Sequence, residues 1–199
     1  MANGFGHCRR FRGFAKQGSI IIKHEYEKKG NIQFMEHAEI LHKMILFDEG
    51  DARRIQHFLK VYQYASLIGS LEGLPREKQL ILEIAAILHD IGIHPAEQKY
   101  GFSNGKLQEQ EGPKHARALL GQVDGYAPEL VDRVCFLIAH HHTYEGVDGL
   151  DWQILLEADF LVNSYEKNLS EEAIKKFRST VFKTKSGIAL LNNQYGYKE

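Results

Sequence analysis

The chain of 199 residues has only two cysteines, Cys8 and Cys135, and no Cys-x-x-Cys pair. That excludes a disulfide framework and a thiolate zinc ribbon, and it leads us to expect a reducing, cytoplasmic setting. Cys135 lies inside an apolar run, where it reads as a small buried hydrophobe and not as a nucleophile. Long apolar runs are missing too. The longest in the body of the chain, Val134–Ala139, falls far short of the roughly 18 residues of a membrane span. Charge of one sign is also lacking: 25 Lys and Arg against 26 Asp and Glu leave a net charge of -1, which sets up no field for a nucleic-acid polymer or an anionic membrane. No strand alternation or Asn-Gly hairpin competes seriously with the helical pattern, and there is no internal repeat. What is present is 43% hydrophobic and 26% charged residues, the balance of one soluble globular domain with a real core. Histidine is in excess, with 11 residues, of which seven fall between positions 57 and 142.

Residues 1–31 differ from the rest. Seven Lys and Arg there face only Glu25 and Glu27, and there is little amphipathic period. We read this segment as a basic, poorly ordered extension, with Met35 as a candidate initiator, and 32–199 as a single helical domain. Ile20-Ile21-Ile22 is too short for a signal-peptide core.

From residue 32 the period is helical almost throughout, which predicts an all-α fold. A first helix ends near Gly50, and Asp51 is a good N-cap for one running to Leu71. Residues 76–90 read as a buried helix stopped by Gly92 and Pro95, and 93–110 as a long polar connection. Further helices are expected from Pro113, over 128–142, over 151–167, from Ser170, and over 186–194.

Five segments offer metal-ligand chemistry: His57, His89-Asp90, the region from Glu111 to His115, His140-His141-His142, and Asp159. Offsets of 4, 7 and 11 put His57 on one helix face with Val61, Tyr64 and Ile68, and Asp159 shares a face with Leu155 and Val162. Each side chain is thus presented to the core. A carboxylate buried unpaired there costs several kcal/mol, and a cation is one resolution. Imidazole with carboxylate suits a divalent transition metal or Mn better than Mg, and open coordination positions would make the site hydrolytic. Taken singly, each piece has a plainer explanation: a hydrogen-bonded core His57, a helix-end cap at His89-Asp90, a solvated helix end at 140–142, an Arg partner for Asp159.

The order His57, Leu88-His89-Asp90-Ile91-Gly92, Ile138-Ala139-His140-His141 and Glu157-Ala158-Asp159 resembles the HD superfamily of metal-dependent phosphohydrolases, over about residues 50–165. That resemblance implies a helical bundle in which His57, His89, Asp90 and Asp159 surround one metal, with Asp90 also orienting the attacking water. It implies one or two divalent ions (Mn, Fe, Co, Ni or Mg). His140 and His141 would serve a second ion, joined by Glu111 or His115. The Gly-Tyr-Pro signature of the cyclic-dinucleotide branch is missing after Gly146, and Ile93 and His94 stand where a Lys often follows the HD segment.

For a phosphate, Arg53 lies one turn before His57, with Lys114 a further cation; Tyr144 could stack on a base. The expected substrate is a small phosphate ester, a nucleotide or a relative. Homodimerisation is left open. The competing readings are a regulatory nucleotide- or partner-binding module without turnover and a di-iron oxygenase on the same scaffold.

Overall fold

The computed structural model describes residues 32–198, with side chains from His37 onward. The reading of the basic segment lies outside the described residues, and the helical backbone at Met35 does not bear on that residue as an initiator. Among these residues the regular structure is entirely helical: α1 (Ile32–Phe47), α2 (Ala52–Leu71), α3 (Arg76–Leu88), α4 (Ile93–Tyr100), α5 (Gly105–Leu120), α6 (Pro128–Ile138), α7 (Leu150–Glu166), α8 (Glu171–Thr180) and α9 (Lys185–Tyr195). None is long and apolar enough to cross a membrane. The chain divides into Met1–Glu36 and His37–Glu199; everything below concerns the second unit.

Side-chain caps set the helix starts. The Asp51 carboxylate accepts from the Arg54 backbone N–H at 3.0 Å, Asn104 from Leu107 at 3.0 Å, and Thr184 from Gly187 at 2.9 Å. Each satisfies a donor that the first turn leaves free.

The expected connection over 93–110 is a correction: most of it is α4 and the start of α5. Pro95 is the third residue of α4, where its missing N–H has no intrahelical partner to lose. The helix ends at Gly101, whose φ of +80° is the left-handed conformation glycine adopts most easily. The Pro113 start is likewise corrected. α5 begins at the Asn104 cap, and Pro113 sits inside the helix. Packing carries α5 through that lost bond: a methyl group on Gly112 would meet Ile138 Cγ2 at 2.7 Å, so the helix lies hard against the end of α6.

At the centre α2 packs on α3 and α7, and α3 also packs on α6 and α7. Val61, Ile68, Ile84, Leu88, Ile138, Leu155 and Leu161 are fully buried. Each such side chain is worth roughly 1.5–3 kcal/mol of transfer free energy, an upper bound. Cys135 is buried and free, and burial pushes its thiol up. Residues 151–162 of α7 are buried on every face, so its polar side chains must be resolved internally. Glu157 takes the backbone N–H groups of Lys183 and Thr184, at 2.7 and 3.0 Å, and the Thr184 hydroxyl. That pins the segment leading into α9.

Candidate metal centre

Three central helices deliver four side chains to one point. His57 comes from the second turn of α2, His89 caps the C-terminal end of α3, Asp90 follows in the turn, and Asp159 projects from α7. His57 Nε2 lies 3.2 Å from His89 Nε2, 3.2 Å from Asp159 Oδ1 and 3.5 Å from Asp90 Oδ2. His89 Nε2 is 3.5 Å from Asp90 Oδ2 and 3.6 Å from Asp159 Oδ1. His89 is fully buried and Asp159 nearly so.

Outer partners fix the rings. His57 Nδ1 donates to Glu166 Oε2 at 2.8 Å, and Lys60 holds the other Glu166 oxygen. His89 Nδ1 donates to the Ala86 carbonyl at 2.8 Å. Both Nε2 atoms are thereby turned to the carboxylates, as in carboxylate-histidine-metal relays. Asn163 Nδ2 donates to Asp159 Oδ1 at 2.7 Å.

Burial by itself would lower the pKa of His57, but the Asp159 hydrogen bond, the charges of Asp90 and Asp159 and the Glu166 contact raise it from 6.5 to about 9. Against strong burial, the surrounding imidazoles hold Asp90 and Asp159 below the ordinary carboxylate range. Because its value is raised in the folded state, His57 contributes stability that is full below pH 6.5 and is lost as pH climbs through about 9. At about 1.36 kcal/mol per unit this is on the order of 3 kcal/mol. Metal-free protein is therefore expected to melt at progressively lower temperature between pH 6.5 and 9.5, and His57→Gln to flatten that slope. An equal slope in the variant would show that the pH dependence arises elsewhere.

A second group adjoins the first. Asp90, His141 and His142 bring ligand atoms within 4.8 Å of one another, as do His57, His89 and Asp90. His141 Nδ1 donates to the Ile138 carbonyl at 2.7 Å, while its Nε2 is buried, lacks a hydrogen-bond partner and lies 3.6 Å from Asp90 Oδ1. An orphaned buried imidazole nitrogen beside a carboxylate is what a cation would satisfy. The donor set of four imidazoles, His57, His89, His141 and His142, with the carboxylates of Asp90 and Asp159 therefore fits a divalent metal.

His140 stands outside both groups. Its Nδ1 bonds the Phe136 carbonyl at 2.7 Å, and its ring lies on Phe136 and edge-on to Trp152. α6 stops at Ile138 and 139–142 form turns, so the helical phase assumed through residue 142 does not apply. Glu111 accepts from Lys99 and Tyr100, each at 2.8 Å. His115 lies against the Phe47 ring. Lys114 is exposed on α5.

A cavity of about 510 Å³ opens over the centre, lined by His57, Asp90, His142 and Arg53 among others. Arg54 lines it too, held by Glu97 at 2.6 Å, by His94 at 2.8 Å and by Asp51. Tyr144 lines a different cavity, of about 480 Å³, and packs edge-on against Phe177.

Glu166, Asn163, Gln108 and Glu109 were not anticipated from the sequence. Asn163 and Glu166 are 4 and 7 residues beyond Asp159, the spacing of one helix face, so periodicity carried that signal. From α5, Gln108 Oε1 meets His142 Nε2 at 2.6 Å, and Glu109 takes the His142 N–H at 3.0 Å and the Thr143 hydroxyl at 2.9 Å. The Glu166→Gln variant is expected to bind metal about 10 to 100 times more weakly, read by titration with a competing chelator. Unchanged affinity would deny Glu166 its orienting part.

The HD-domain family model matches residues 54–177, and the chain belongs to that family, whose domains bind divalent metals. It is similar to a solved structure described as a predicted HD superfamily hydrolase from an uncultured Thermotogales bacterium. The identity is 27% and the TM-score 0.59, over 80% of this chain and 85% of that one. No curated protein matches the chain.

Proposed function

We propose that the protein is a metal-dependent phosphohydrolase that cleaves the phosphate ester of a nucleotide or a related small molecule. The observation that carries this reading is the convergence of His57, His89, Asp90 and Asp159, two of which, His57 and Asp90, line a cavity that Arg53 also lines. Arg53 has no ion pair or hydrogen bond among the described residues, so its guanidinium is available to an anion. A divalent ion held there would acidify a water and polarise a phosphoryl oxygen.

The remaining chemistry belongs to the chain. His57, held by Glu166, and His89, held by the Ala86 carbonyl, aim their Nε2 atoms in fixed directions, and an ion binding there would take the place of the protons that the carboxylates favour. Asp90 directs Oδ2 to the first group and Oδ1 to His141, which suits it to orient the attacking water between them. Arg53 would hold the phosphate in line and offset its growing charge. Burial, together with the neighbouring His141, pulls His142 down to about 4, so it stays neutral at pH 7 and keeps a lone pair for a ligand. Two groups sharing Asp90 favour two ions.

The test is a screen of purified protein against phosphomonoesters, phosphodiesters and nucleotides, with Mn, Fe, Co, Ni and Mg supplied in turn. Phosphate release that depends on one of these ions is the expected result. Metal-loaded protein that releases none, or that consumes dioxygen instead, would overturn the proposal.

A further inference from the structure

We infer that the organic part of the substrate is polyhydroxylated and non-aromatic, so that the site takes a sugar or polyol phosphate in preference to a nucleotide. This rests on the phosphohydrolase reading and narrows it.

The wall of the 510 Å³ cavity carries unspent hydrogen-bonding capacity of both kinds. Ser103 Oγ accepts from Gln108 Nε2 at 3.2 Å and keeps its own O–H to donate. Asn104 spends its oxygen on the Leu107 N–H and keeps its amide NH₂. Asn163 does the reverse: its NH₂ goes to Asp159 and its oxygen stays free. Donors and an acceptor around one space complement a run of hydroxyl groups, each of which can donate and accept.

The apolar side of the lining tells against a base. Ile93 is the only aliphatic side chain bordering this cavity among the described residues, no Phe, Tyr or Trp borders it, and the two imidazoles that do, His57 and His142, are engaged with Asp159 and Gln108 in the donor groups. Stacking on an aromatic ring is worth about 1–3 kcal/mol per base and is a main reason for a base to leave water. Tyr144 could have served, but it borders the other cavity and is engaged with Phe177. A phosphate, by contrast, is well provided for. Arg53 and Lys167 both border the cavity, with no ion pair at either among the described residues.

Ribose 5-phosphate and adenosine 5′-monophosphate share the phosphate and the pentose and differ by the base, so they form the deciding pair. With full-length protein loaded with the best ion of the screen, kcat/KM is expected to be at least tenfold higher for ribose 5-phosphate. Thermal shift of the same loaded protein is expected to show stabilisation by ribose 5-phosphate at concentrations where the nucleotide has little effect. Equal or better use of the nucleotide, or stronger stabilisation by it, would overturn the inference and leave the phosphohydrolase reading standing. If no phosphoester is turned over, that reading fails, and the thermal-shift comparison alone decides for or against the hydroxyl-binding wall.

Discussion

Asp90→Asn protein is expected to lose bound metal and turnover together. Asp90 is the residue common to both donor groups, with Oδ2 facing His57 and His89 and Oδ1 facing His141. Asparagine keeps the shape but brings a neutral amide, whose NH₂ would point at an imidazole nitrogen in one orientation or the other. The site then loses a negative charge and both halves of its bridge. A fall in rate on the order of 10³ or more is expected, the scale of losing one preorganised electrostatic contact. His89→Ala should behave alike, because its Nε2 is fully buried at the meeting point of Asp90 and Asp159. Metal content per chain by elemental analysis, with circular dichroism to show that the helices persist, makes the measurement. Full metal occupancy in a folded Asp90→Asn protein would sink the assignment of the centre.

How much of this was legible depends on what kind of regularity carried it. α2, α3 and α7 follow the 3.6-residue period, so the inward direction of His57 and Asp159 could be read from offsets along one face. The adjacent His89-Asp90 pair is a local motif needing no long-range packing to be recognised. Residues 93–112 read as a connection because Pro95, Gly101, Gly105, Gly112 and Pro113 are strong local punctuation. Two of those residues instead sit where tertiary contact requires a missing side chain, and Pro95 occupies a helical first turn that tolerates it. The ligand phase at 140–142 was lost for a related reason. Once α6 ends at Ile138, rotation by 100° per residue no longer says which of three consecutive histidines faces Asp90. His141 and His142 are turned to the site by their partners Ile138, Gln108 and Glu109, and those partners lie on other elements or at a helix end.

That dependence on α5 makes Gly92→Ala the variant expected to cost most stability for the smallest chemical change. Gly92 has φ -74°, which alanine adopts freely, so the effect is steric and owes nothing to backbone conformation. A methyl group there would lie 2.5 Å from the Gln108 carbonyl oxygen and 2.8 Å from the Gly112 nitrogen. Both are backbone atoms of α5 and cannot rotate away. Overpacking costs about 1–3 kcal/mol, and the rigid neighbours put this case at the upper end. At about 2–4 °C per kcal/mol for a chain of this size, the melting temperature should fall by roughly 6–12 °C. Gly112→Ala is the informative control, since its new methyl group meets one side-chain atom, Ile138 Cγ2 at 2.7 Å, and its nearest backbone neighbours are at 3.8 Å or more. It should lose less. Relief of the Gly92 clash must push α5 outward, and Gln108 and Glu109 move with it, so, if His141 and His142 hold an ion as proposed, metal affinity should fall along with stability. Thermal unfolding and metal titration of the two variants read both effects. A Gly92→Ala protein as stable as wild type, or a Gly112→Ala protein that suffers more, would mean that α5 is not seated on the HD turn as closely as the backbone distances say.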